Sequence, residues 1–247
     1  MPLTLNELYT QTKHQYHLSM IAGKTGIDHI MNWVYVSEDS STHDFLKGGE
    51  LIITTGINYQ DETSLYEFIE TMIQSHTCGM ILNTGKYILS DHITDSIKEL
   101  CDKHNYPLIN MPWEVHIYDI TRDYYNRIFM DTQKDTSITD AFLSFIENDS
   151  LHHYDALRIL EDNHFEKDDC YEIVLMKCNK KVISDDLKLR LLFLMESFVK
   201  LNDLDIHIAF YKNHFLFFMI WMKYRFMMKC LLWFLRLKIL LKSFIFM

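Results

Sequence analysis

Glycine and proline are scarce in this chain of 247 residues, and both are confined to its first half. All seven glycines lie at or before Gly85, and all three prolines lie at or before Pro112. Because these residues mark turns, their distribution predicts short elements separated by turns over about the first 115 residues. The glycine- and proline-free remainder opens with helical patterns.

Cysteine spacings that indicate a metal site or a disulfide framework are also missing. The five cysteines are widely spaced and include no C-x-x-C pair, which argues against a zinc ribbon. The first residues, MPLTLNELYTQ, lack the apolar segment of a secretory signal. We therefore expect a cytoplasmic protein that binds neither a metal ion nor another cofactor.

Positive charge is scarce before residue 215. This part of the chain has 18 Lys and Arg residues against 34 Asp and Glu residues. A surface of this charge repels the phosphate groups of nucleic acids. We therefore expect no specific DNA binding by the 247-residue chain.

The final segment, residues 215–247, lacks Asp, Glu, Gly, Pro and Asn but contains six Lys and Arg residues. A membrane span is disfavoured because the longest apolar run, residues 215–222, has 8 residues where a spanning helix needs about 20. An interfacial helix is disfavoured because the basic residues do not share one face. Read two bases later, the codons required for FMIWMK encode acidic residues. We therefore expect residues 219–247 to be an aberrant, frameshifted tail that makes no membrane contact.

Short apolar runs alternate with amphipathic segments in the first part of the chain. The runs that predict strands are residues 19–22, 33–36, 51–54, 79–82 and 108–111. Residues 61–74 and 90–104 show apolar stripes with helical spacing. This alternation predicts an α/β fold with a largely parallel sheet and flanking helices.

The patterns after residue 115 predict a helical connector and then a partial second α/β domain. Helical stripes cover residues 115–131, 136–149 and 150–163. Residues 170–177 predict a strand, residues 184–201 a helix capped by Ser184, and residues 205–218 one further strand. The predicted division is a first domain (1–130), a connector (131–165), an incomplete domain (166–218) and the tail (219–247).

Polar and small residues follow the predicted parallel strands, where ligands bind in open α/β sheets. The candidate ligand-binding residues are Ser37, Glu38, Thr54, Thr55, Gly56, Asn83, Thr84 and Gly85. Their hydroxyl and amide groups and single carboxylate suit a neutral or amine-bearing small molecule, although ordinary polar loops would have the same composition. Gly48-Gly49 precedes a strand and predicts a tight turn rather than a phosphate cradle. No Ser-His-Asp or Cys-His pattern indicates a catalytic site.

Four segments carry a resemblance to a known family. WVYVSE, FLKGGELIITTG, GMILNTGKYI and YPLINMPWEV resemble the N-terminal domain of the PucR family, which comprises bacterial transcription regulators named for purine catabolism. The resemblance covers residues 1–130 and implies a signal-sensing domain. It also implies a middle domain similar to a degenerate GGDEF fold, and residues 150–218 resemble the linker and the beginning of that domain. The family further implies a C-terminal helix-turn-helix, which is missing here.

We expect a truncated PucR-type transcription regulator that retains its sensing domain and binds a small-molecule effector. A homodimer is compatible with this expectation. Two alternatives stay open. A small α/β enzyme acting on a purine-like metabolite would show turnover in a metabolite screen. A membrane-tethered sensor would sediment with membranes only when residues 215–247 are present.

Overall fold

The computed structural model describes residues 3–59, 61–147, 153–177 and 184–220. The chain divides into two units, Met1–Asp135 and Thr136–Met247. From residue 221 onward, the segment predicted to be frameshifted lies outside the described residues. Within the described ranges, no helix combines the length and apolar composition that crossing a membrane requires.

The first unit contains every strand predicted for it. Its elements are α1 (Leu5–Thr12), β1 (Ser19–Ala22), β2 (Trp33–Val36), β3 (Glu50–Thr54), α2 (Glu62–Gln74), β4 (Gly79–Thr84), α3 (Asp95–Lys103), β5 (Leu108–Pro112) and the beginning of α4 (Ile117–Ile146). The strands form one sheet in the order β1-β5-β4-β3-β2. Neighbours from β2 to β5 are parallel, whereas β1 is antiparallel to β5. The predicted α/β fold with a largely parallel sheet is therefore confirmed.

Helices cover both faces of this sheet. Ile52 packs with α2 and α3 on one face, whereas Leu51 and Ile53 pack with α1 and α4 on the other. This alternation follows from the two-residue period of a strand. All three side chains are fully buried, as the central strand of a doubly covered parallel sheet requires.

The helix α4 is longer than the sequence predicted. Residues 115–131 and 136–149 were expected to form separate helices, but Ile117–Ile146 is one helix of 30 residues. The intervening residues contain neither glycine nor proline, so no residue there breaks the helical hydrogen bonds. Its first half packs in the first unit through Ile120 and Tyr124, and its second half packs in the second unit through Ile138 and Phe142.

The second unit contains a three-stranded antiparallel sheet. Its elements after α4 are α5 (His153–Glu161), β6 (Tyr171–Lys177), α6 (Asp185–Leu201), β7 (Ile206–Tyr211) and β8 (His214–Ile220), and the sheet order is β6-β8-β7. The single strand predicted over residues 205–218 is thus wrong, because the chain reverses at Lys212-Asn213. Both residues have positive φ, at 45° and 65°, as a two-residue hairpin turn requires.

Residues 1–135 should fold without the rest of the chain, because the first unit has apolar clusters on both faces of its own sheet. We expect one cooperative thermal transition, followed by circular dichroism. A shorter piece, residues 1–115, is the matched control and should lose cooperativity because it lacks α4. A gradual, non-cooperative loss of signal from residues 1–135 would contradict the prediction.

Candidate functional site

The Glu38 carboxylate joins the carboxyl ends of β2 and β3. Its Oε1 accepts a hydrogen bond from the Thr55 backbone N–H at 2.7 Å. Its Oε2 accepts from the Gly56 N–H at 3.0 Å and from the Thr54 hydroxyl at 2.8 Å. The structure therefore brings these four predicted site residues together. The carboxylate, however, already accepts hydrogen bonds from three donors of the protein itself. Hydrogen bonds to an ionised acceptor are among the stronger ones, so Glu38 fixes the loop after β3.

Ser37 directly follows β2 and is buried, with 2% of its surface exposed. Its hydroxyl donates to the Asp39 carbonyl at 3.0 Å and lies 2.8 Å from the Thr42 hydroxyl. These contacts fix the start of a short 3-10 helix, Ser40–Phe45. Ser37 therefore shapes the loop after β2.

The polar residues after β4 face β5. The buried Asn83 side-chain amide donates to the Pro112 carbonyl at 3.0 Å. The Thr84 hydroxyl donates to Asn110 Oδ1 at 2.5 Å. Gly85 makes a tight turn, with φ at 115° and its N–H bonded to the Ile88 carbonyl at 2.8 Å. These contacts hold the ends of β4 and β5 together.

The Ile88 side chain, from the loop after β4, packs against the loop after β3. It is fully buried against Gly56, where an added Cβ atom would lie 2.1 Å from Ile88 Cγ1. The carboxyl-end edge has a part at β2 and β3, organised by Glu38, and a part at β4 and β5, which contains Thr84 and Gly85.

Tyr59 is a residue of this edge that sequence reasoning missed. It is 7% exposed and stacks on Phe68, with ring centroids 4.4 Å apart. Its buried hydroxyl forms no hydrogen bond of normal geometry with the described residues, although the Ser40 backbone N–H approaches it. Burial raises the pKa of the Tyr59 phenol, and the carboxylates of Asp39 and Glu38 raise it further. The phenol therefore stays neutral. No sequence pattern indicates that its hydroxyl would lack a hydrogen bond of normal geometry.

The opposite edge of the sheet is closed by a turn. Gly48 and Gly49 both have positive φ, at 93° and 82°. The Glu50 carboxylate accepts the backbone N–H groups of Lys47 and Gly48 at 2.8 and 2.9 Å. The Glu50 carboxylate thus already binds the backbone N–H groups that a phosphate would need. In the described parts of the chain, no group of three His, Cys, Asp or Glu side chains is placed to hold a metal ion.

A doubly covered, largely parallel sheet with a polar carboxyl-end edge defines the first unit as an α/β domain. Residues 7–128 match the model of the purine catabolism regulatory protein-like family, PucR. These residues lie within the first unit, and the resemblance noted for the N-terminal part of the sequence is confirmed. A similar protein is the purine catabolism regulatory protein of Bacillus subtilis (strain 168), with 30% identity over 103 residues. That match covers 41% of this chain and 19% of that protein.

Replacing Glu38 with alanine should destabilise the first unit. Two backbone N–H groups and the Thr54 hydroxyl would lose a charged acceptor, at a cost of about 2–4 kcal/mol. Urea unfolding of the parent and Glu38→Ala measures the difference. Glu70→Ala, which removes an exposed carboxylate from α2, is the control and should change the free energy of unfolding by less than about 0.5 kcal/mol. Equal stability of Glu38→Ala and the parent would refute the role given to this carboxylate.

Tyr59→Phe should preserve or increase stability, unlike most truncations in a core. The substitution keeps the ring that stacks on Phe68 and removes a buried hydroxyl with no hydrogen-bond partner among the described residues. We expect a gain of up to about 1 kcal/mol in the free energy of unfolding. Tyr124→Phe is the matched control and should lose stability, because the buried Tyr124 hydroxyl is bonded to the Thr12 hydroxyl at 2.8 Å. A loss of stability in Tyr59→Phe as large as that in Tyr124→Phe would contradict this assignment.

Proposed function

We propose that this chain is a purine-catabolism-regulator-like protein whose first unit binds a small-molecule effector without converting it. The observation that supports this most is the family match over residues 7–128, which falls within a unit that has its own sheet and core. Because the relative is named as a regulator of purine catabolism, an intermediate of that process is the first class of effector to test.

The carboxyl-end edge of the five-stranded sheet is the proposed place of binding. It offers the half-buried Thr55, whose hydroxyl is bonded to no described residue. Purine bases, their oxidation products and the ureides derived from them carry N–H and C=O groups that hydroxyl groups can bind. Hydrogen bonds at such an edge would select among these compounds.

We further propose that residues 166–218 form the start of a GGDEF-like middle domain, as the sequence resemblance implies. The order β6, α6, β7 and β8 is compatible with that reading. The excess of Asp and Glu before residue 215 supports a role in sensing rather than in contacting DNA. A cytoplasmic location, where a regulator of transcription acts, is part of this proposal.

Thermal-shift screening of the 247-residue chain against purine bases, oxidised purines and ureides tests this function. At least one compound should raise Tm, since a ligand at 100 times its Kd stabilises the folded state by about 2.7 kcal/mol. Pyrimidine bases at the same concentrations serve as controls. Chromatography of the mixture should show the compound unchanged after incubation. No shift with any compound, or conversion of the one that binds, would overturn the proposal.

A further inference from the structure

The loops after β4 and β5 leave the sheet in opposite directions. The connection after β4 leads to α3, which packs on the same face as α2. The connection after β5 leads to α4, which packs on the other face with α1. The loop after β2 also packs on the α2 face through Leu46, so β4 and β5 are the parallel neighbours whose loops diverge. In open α/β sheets, such a divergence creates the crevice in which ligands bind.

Two aromatic rings and one cation lie at this point. Trp113 follows β5, and its ring centroid is 5.5 Å from that of Tyr87, in an edge-to-face arrangement. Lys86 Nζ lies 4.7 Å from the Trp113 ring centroid and 5.0 Å from the Tyr87 ring centroid. Gly85 lies beside Trp113, since an added Cβ atom would be in ordinary van der Waals contact with Trp113 Cβ at 3.4 Å. Both rings are half-buried, whereas Lys86 is exposed.

The charge of Lys86 is unusual for its surroundings. Residues 1–135 contain 19 Asp and Glu residues against 9 Lys and Arg residues. Of the two Lys residues in the loops that follow the parallel strands, Lys47 lies in the turn before β3 at the opposite edge, whereas Lys86 directly follows the turn at the end of β4. The structure pairs it with no carboxylate among the described residues, although the exposed Glu114 follows Trp113. Contact with two rings restrains the ammonium group, which lowers the entropy cost of binding an anion there.

The structure also removes the reason to expect an amine-bearing ligand. That expectation depended on Glu38 as the carboxylate of the edge, but three protein donors engage it. At the crevice, Lys86 places a cation beside aromatic surface, and the exposed Glu114 follows Trp113. A planar compound with a negatively charged oxygen matches the cation and the aromatic surface.

We propose that the crevice between β4 and β5 binds the effector as a planar anion. Its charged oxygen contacts Lys86 Nζ, and its ring packs beside Trp113. The inference depends on the proposed function, since it assigns a place and a charge to the effector of that function. It differs from the site at the end of β3, where Thr55 lies.

Calorimetric titration of the 247-residue chain with urate, a planar anion, and hypoxanthine, a planar neutral purine, tests this inference. Lys86→Gln should weaken urate binding about tenfold or more, because it removes a charged hydrogen-bond partner. It should change hypoxanthine binding by less than about twofold. Lys98→Gln is the control for charge, because Lys98 lies on α3 paired with Asp95 and should leave both affinities unchanged. Trp113→Leu should weaken both ligands, and thermal unfolding of each variant checks that it folds.

The other outcomes separate the two proposals. If Lys86→Gln binds urate like the parent, the crevice assignment is overturned. If Thr55→Val weakens binding while Lys86→Gln does not, the effector lies at the end of β3, and the proposed function stands without this inference. If urate does not bind the parent chain, the inference fails, and the wider thermal-shift panel alone decides whether the function fails with it.

Discussion

The burial of β3 and β4 on both faces is the constraint on which the first unit depends. The central residues of these strands, from Leu51 to Ile53 and from Met80 to Leu82, are fully buried. Each such aliphatic side chain contributes roughly 1.5–3 kcal/mol when it leaves water. This burial requires helices on both faces of the sheet. The chain meets that requirement by placing α2 and α3 on one face and α1 and α4 on the other, which makes the loops after β4 and β5 diverge.

Polar contacts at the carboxyl-end edge follow from this arrangement. Parallel strands end at the same edge of the sheet, so the loops that follow them pack close together. Glu38 satisfies the backbone amides of the loop after β3, and Asn83 binds the carbonyl groups of the loop after β5. Ile88, from the loop after β4, packs against Gly56 of the loop after β3. Several polar side chains that a ligand could have contacted therefore hold the loops, whereas Lys86 and Trp113 lie where the loops separate.

The strands and the sheet type of the first unit could be predicted from the sequence, because apolar runs between turn residues depend on local composition. The continuity of α4 could not, since a polar stretch around Lys134 separates two apolar stripes without interrupting the backbone. The turn at Lys212-Asn213 lacks the glycine that marks most hairpins. The sequence also placed Glu38 and Thr55 at one edge, but it could not show that Glu38 binds its own loop. That depends on atomic distances between residues 16 to 18 positions apart.

The central claim is that the first unit senses a planar anion at the ends of β4 and β5. The most direct measurement is a titration of urate into the ¹⁵N-labelled 247-residue chain, followed by amide and indole chemical shifts. The account predicts that the largest changes occur at the Gly85 and Lys86 amides and at the Trp113 indole N–H. Changes concentrated at the opposite edge, around Gly48 and Gly49, or in residues 136–220 would contradict it.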